Sequence, residues 1–159
     1  MRRRIAEAND SRRLRDQFRI VHFSVQDNHV HMIVEAHDAS ALSRGVQGIA
    51  IRLARRVNRL LGIRGSFWRA RFNARELASP RSVRNAIVYV LMNVKKHFPD
   101  APDAYIDPCS SAPWFEGFAH GPSPPEEAAP VKPASTWLAS TGWRRHGLIR
   151  VDERPRAAS

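Results

Sequence analysis

Asn28-His29-Val30-His31-Met32-Ile33-Val34 reads as a β-strand, and the interpretation of its neighbours follows from it. Strand side chains alternate between faces, so His29 and His31 point one way while Val30, Met32 and Val34 point the other. Two imidazoles on one face can hold a metal ion between them. They can equally be two polar residues on the wet side of a strand. Immediately upstream, residues 17–25, Gln-Phe-Arg-Ile-Val-His-Phe-Ser-Val, are β-branched and aromatic, which favours a second strand. Gln26-Asp27-Asn28 supplies the turn chemistry of a hairpin leading into the strand at 29–36.

Beyond the hairpin the period changes. Asp38 or Ser40 can cap a long helix whose apolar positions, Leu42, Val46, Ile49, Leu53, Val57, Leu60 and Leu61, recur at three- and four-residue spacing. That stripe is assigned to the core. Arg52, Arg55, Arg56 and Arg59 form a basic ridge on the other side, and Gly62 ends the helix as a C-cap. Residues 66–78 contain a third extended segment on which Arg69, Arg71, Asn73 and Arg75 share one parity, so a strand here presents a basic face. Phe67 and Trp68 at its entrance can stack bases or simply fill core.

Ser79 and Pro80 start a last helix, predicted to run to about His97, with Val83, Ile87, Val90, Leu91 and Val94 as its buried stripe. At about 100° per residue, Tyr89 and Asn93 lie roughly 120° from the middle of that stripe. They are neighbours on one flank with polar ends facing out of the core, and Lys96 shares their side. Taken alone, they read as a boundary tyrosine and an exposed asparagine. Upstream of the hairpin, residues 2–16 look helical. Downstream of Phe98-Pro99 the character changes: five of the 11 prolines fall between Pro122 and Pro133. Aromatic pieces on either side, Trp114 to Phe118 and Trp137 to Trp143, imply that this tail docks on the preceding domain.

Charge is distributed as unevenly as proline. Residues 1–98 carry 20 basic and 7 acidic side chains, whereas 99–159 carry 6 and 8, so the positive field belongs to the first part. Most of these cations are Arg, which suits bidentate phosphate contact, and nucleic acid is the partner that electrostatics favours over a merely solvated basic surface. Cys109 is the only cysteine, which excludes an internal disulfide and a Cys-rich zinc site. No apolar run approaches the ~18 residues of a membrane span, and Met-Arg-Arg-Arg opens no secretory signal. A cytoplasmic location is expected.

The order of these pieces resembles the HUH single-tyrosine transposases of bacterial genomes, particularly relatives of the REP-associated tyrosine transposases. The matching stretches are Asn28 to Glu35, Phe67-Trp68-Arg69-Ala70-Arg71-Phe72 and Tyr89-Val90-Leu91-Met92-Asn93. They fall within residues 17–98, and Asp107 to Trp114 looks like the segment that follows the catalytic helix in such proteins. The resemblance implies a divalent cation, Mg²⁺ or Mn²⁺, held by His29, His31 and Asn93, with Tyr89 as nucleophile. Tyr89 would attack single-stranded or hairpin DNA, leaving a 5′-phosphotyrosine and a free 3′-OH. A phenol titrates near about 10, so nucleophile and cation must be adjacent, which a one-turn Tyr–Asn spacing supplies. Arg52, Arg55, Arg56, Arg59, Arg69, Arg71, Arg75, Lys95 and Lys96 would hold the DNA backbone without reading its sequence.

The implied fold is α+β: a ferredoxin-like antiparallel sheet with helices on one face over residues 1–98, then a Pro-rich, loosely structured extension over 99–159. The family opens with a central strand before the first helix, and no candidate strand precedes Gln17. A start upstream of Met1, a degraded remnant, or an edge supplied by a second copy would each account for that, with the first two favoured. Met92-Asn93-Val94 lacks the proline that many relatives carry after the asparagine, which is expected to favour helix continuity. The alternative function is an inactive, truncated remnant that only binds nucleic acid; a homodimer, with Tyr89 acting within or across subunits, stays open. A structural protein with an incidental His pair explains neither Tyr89 nor the charge asymmetry.

Overall fold

The computed structural model describes residues 17–155. The helix expected over 2–16, and the expectation that no strand precedes Gln17, fall outside these residues. β1 (Phe18–Val25) and β2 (Val30–Ala36) form the predicted antiparallel hairpin. Its connection is closed by the Gln26 N–H donating to His29 O at 2.9 Å. Phe18 to Ile20 pair with Ala36 to Val34, and His22 to Val25 pair with Ile33 to Val30, so Val21 is an extra residue. This bulge resets the alternation. Phe18 and Ile20 before it, and Phe23 and Val25 after it, therefore reach the same core with Met32 and Val34, while Val21 reaches the opposite core with Ile33.

The hairpin is thus apolar on both faces, and each face needs a cover. α1 (Ala39–Leu61) lies on the Phe23–Met32 side. α2 (Pro80–Leu91) lies on the Val21–Ile33 side. The architecture is α+β, with a two-stranded antiparallel sheet among the described residues, in keeping with a ferredoxin-like fold. Helices on one face were expected; they sandwich the hairpin instead, because Ile33 and Val21 carry apolar surface away from α1.

Of the two caps the sequence offers α1, Asp38 and Ser40, the structure uses Asp38. Asp38 accepts from the Ala41 N–H at 2.7 Å, and Gly62 closes the other end at φ 65°. A Cβ on Gly45 would lie 2.4 Å from the Phe18 ring, so this glycine sets the helix's approach to β1. The apolar stripe is buried only as far as Leu53. Leu60 and Leu61, expected in the core, are each 65% exposed. The reason is length: a 23-residue helix spans about 35 Å and overruns a hairpin of roughly 27 Å.

Residues 66–78 correct a second expectation. They form no strand and bend at 69–70, having no neighbouring strand to pair with among the described residues. Trp68 fixes this segment through Nε1 donating to Ala50 O at 2.9 Å, with its ring against the α1-side core.

α2 begins with a capping box between Ser79 and Ser82, but it does not continue to His97. It ends at Leu91, passes through a tight turn at Met92-Asn93, and resumes as the short α3 (Val94–His97). Lys95 N–H bonds to Met92 O and Lys96 N–H to Asn93 O, both at 3.0 Å, so the ladder tightens to i→i+3. Residues 90 to 95 are all buried, so the chain here is enclosed on every side. A single amphipathic stripe cannot satisfy that.

The tail supplies the enclosure. Phe115, Phe118, Trp143 and Ile149 complete the core of α2, so the hydrophobic interior runs across the change of composition at residue 98. Cys109 O and Ser111 N–H bond the outer edge of β1 at Val25 and Phe23, and Lys132 N–H bonds Ile20 O. Arg84 grips Glu153 with two hydrogen bonds, 2.7 and 3.1 Å, and donates to Gly147 O and Leu148 O. At the far end of β2, the Glu35 carboxylate accepts from the amides and hydroxyls of both Ser135 and Thr136, at 2.6 to 2.8 Å. Thr136 in turn caps α4 (Trp137–Ser140). No helix among the described residues is long and apolar enough to cross a membrane.

Burial alone would raise the Glu35 carboxyl, but the Thr136 and Ser135 hydrogen bonds outweigh it and hold the group below its ordinary 4.5. The unfolded chain therefore takes up this proton first. The stabilisation is complete above about pH 4.5 and is lost as pH falls through the lower folded value. Glu35→Gln is expected to cost about 1–3 kcal/mol at pH 7 and to flatten the acid limb of stability in urea unfolding. Wild-type stability in that variant would show that the clamp contributes nothing net.

Candidate active site

The hairpin turn and the end of α2 converge on one cluster. His29 sits in the connection just before β2, and His31 lies on β2 opposite Ser24. Their rings meet edge to face with centroids 4.6 Å apart. Tyr89, near the end of α2, places its ring 4.9 Å from His31. The Lys96 amine lies 5.5 Å from the Tyr89 ring centre, and the His97 ring is 5.5 Å from His29. A pocket of about 130 Å³, lined by Gln26, Asp27, Asn28, His29 and His97, opens beside the pair.

Burial is the main force on these imidazoles. It lowers His31 to about 4, with the positive charge of His29, Lys96 and His97 adding to it. His29 is also lowered, again by burial first and then by His97 and Lys96. Both rings are therefore neutral near pH 7, the form in which imidazole binds metal. Asn28 Oδ1 lies 2.7 Å from His29 Nδ1. An amide oxygen can only accept, so the proton resides on Nδ1 and the lone pair on Nε2.

Asn93 is not on an exposed flank. It is fully buried in the turn after α2, and neither Nδ2 nor Oδ1 has a hydrogen-bond partner. A buried amide without partners is costly, and an acceptor oxygen left unpaired suits a cation. Among the described residues, no three His, Cys, Asp or Glu side chains converge as a metal site. Of the remaining side chains with an unpaired oxygen, the Asn93 amide has the chemistry to ligate a cation.

The cationic residues divide into three groups. Arg52, Arg55, Arg59, Arg69, Arg71 and Arg75 are exposed and Arg56 is half-buried. None of them has a carboxylate partner among the described residues. The four on α1 lie across the hairpin from Tyr89, so the fold does not bring that ridge into the His–Tyr cluster. Lys96 does belong to the cluster. Lys95 requires a correction: it is 2% exposed, and its amine donates to the carbonyls of Asp103 and Val151. It fastens the tail and presents no charge to DNA.

The family-model comparison matches residues 1–91 to the model described as "Transposase IS200 like". The chain belongs to the IS200-like transposase family. Comparison with curated proteins and with solved structures finds no match. The matched span of this transposase contains both histidines and Tyr89, and stops short of Asn93 and Lys96. Membership makes DNA its partner. His97 was missed as a site residue because it read as the helix end; its spacing of four from Asn93 was the available signal.

His31 is expected to titrate near pH 4 in a histidine C2–H NMR titration, far below the ordinary 6.5. The unfolded chain binds this proton at higher pH, so His31 makes stability fall as pH drops from 6.5 towards 4. Lys96→Ala should move the midpoint upward. A midpoint near 6.5 in the wild type would mean that the ring is solvated.

Proposed function

We propose that this IS200-like transposase cleaves and rejoins single-stranded DNA with Tyr89 as nucleophile, using a divalent cation, Mg²⁺ or Mn²⁺, held by His29, His31 and Asn93. The observation that supports this best is the contact of the Tyr89 ring with His31, which sets a phenol beside two neutral imidazoles. Tyr89 Oη attacks the phosphorus, a Tyr89 O–P bond forms to the 5′ phosphate, and the bond to the 3′ oxygen breaks. The phenolic proton is delivered, in balance, to the departing 3′-OH. Rejoining is the reverse, with a 3′-OH as attacking group.

A bound cation would supply Lewis-acid polarisation of the scissile phosphate. The protein's own part is to orient and charge the site. Asn28 fixes the His29 tautomer, β2 holds His31 against α2, and Lys96 places a positive charge where the phenolate and phosphate carry negative charge. Arg52, Arg55, Arg56, Arg59, Arg69, Arg71 and Arg75 bind the flanking backbone of single-stranded or hairpin DNA. The place of the four α1 arginines across the hairpin favours a second reading, a remnant that binds nucleic acid without cleaving it, since binding needs no His–Tyr geometry.

A labelled hairpin oligonucleotide with Mn²⁺ should give a covalent adduct that survives a denaturing gel. Tyr89→Phe should abolish it, His31→Ala should reduce it by at least roughly a hundredfold, and chelation should remove it. Lys96→Ala should slow it roughly tenfold at saturating DNA. An adduct that persists in Tyr89→Phe would refute the nucleophile assignment. Binding without adduct under either metal would establish the second reading.

A further inference from the structure

The C-terminal segment carries an aromatic and cationic patch that the proposed cleavage chemistry does not use. Trp137, the first residue of α4, is 50% exposed. The Arg145 guanidinium lies 4.8 Å from the centre of its ring, and that of Arg144 lies 4.7 Å from the buried Trp143 ring. Neither arginine has a carboxylate partner among the described residues. Both charges are therefore unneutralised, and that of Arg145 lies beside an accessible indole.

This patch is firmly seated. The Trp137 ring lies on the Gly142 backbone so closely that a Cβ there would be 2.7 Å from it. Trp143 anchors the following turn, Gly142–His146, in the core of α2. The preceding residues, Ser135 and Thr136, are held by Glu35. Glu35 and His31 share parity on β2, so they face the same side of the hairpin, about 13 Å apart at strand spacing. The Trp137–Arg145 pair therefore stands at the far end of the face on which Tyr89 meets His31. Exposed aromatics beside cations form the stacking platforms of proteins that hold single strands. Arginine planes stack on unpaired bases in the same way.

We infer that Trp137 and Arg145 form a nucleobase-stacking subsite for the single strand whose cleavage is proposed at Tyr89, with Arg144 and Arg145 neutralising its phosphates. The inference rests on that reading for the identity of the strand. The subsite would fix how far an unpaired base lies from the attacked phosphate.

The test measures binding of a labelled hairpin oligonucleotide with single-stranded flanks to the full chain, by fluorescence anisotropy in chelator, so that no cleavage intervenes. Trp137→Ala should weaken binding roughly tenfold while Trp137→Phe stays within about threefold, since one aromatic face can replace another. Arg145→Gln should reduce the salt slope by about 0.7, the value for one single-strand phosphate. In the wild-type protein, removing the base at one flanking position should cost as much as Trp137→Ala, and the same abasic site should cost nothing further in that variant. Thermal unfolding of each variant separates lost binding from lost fold, and the abasic scan on wild-type protein does not depend on any variant folding. A flat abasic scan, or Trp137→Ala binding within about twofold of wild type, would overturn the subsite. Failure of adduct formation with an intact abasic signature removes the cleavage reading and leaves the subsite, and the converse result removes only the subsite.

Discussion

A hairpin of two strands with apolar side chains on both faces cannot stand alone, and the rest of the chain is arranged to cover it. Val21 is the residue that creates the problem and resolves it. By adding one residue to β1, it directs Phe18, Ile20, Phe23 and Val25 to one side while placing itself beside Ile33 on the other. One helix then has to lie on each face. Because α2 covers the Ile33 side, Tyr89 comes to the face that already carries His31. Site and core are consequences of the same register.

Two helices still do not close so small a sheet, and the tail completes the burial. It covers the backbone groups of β1 through Cys109, Ser111 and Lys132, and fills the α2 side with Phe115, Phe118, Trp143 and Ile149. Its fastenings are polar and satisfied: Glu35 takes four hydrogen bonds, Arg84 makes two to Glu153, and the Lys95 amine donates to two carbonyls. Asn93 is the contrast. It sits among these well-paired groups with its amide unpaired, a cost that burial in the turn after α2 imposes.

The positive charge is likewise divided by the fold. Lys96 and His97 crowd His29 and His31, adding to the burial that keeps the imidazoles neutral. The α1 ridge lies across the hairpin, and Arg144 and Arg145 stand at the other end of the Tyr89 face. An IS200-like transposase must grip a long polyanion while keeping its reacting groups in one small place. Cations spread around a single neutral imidazole pair are suited to both requirements.

The sequence by itself determined the features set by neighbours along the chain. The hairpin, the Asp38 and Ser79 caps, the Gly62 stop and the shared face of His29 and His31 all follow from local spacing and turn chemistry. What depended on contacts between distant segments was not legible. The exposure of Leu60 and Leu61 reflects how far α1 outruns the hairpin, and the loss of the third strand reflects the lack of a partner for residues 66–78 among the described residues. The break after Leu91, the burial of Asn93 and the withdrawal of Lys95 come from a tail that encloses the chain at Met92 to Lys95. Periodicity assigns each residue one face of its own element. Only tertiary structure decides how many faces are covered, and by what.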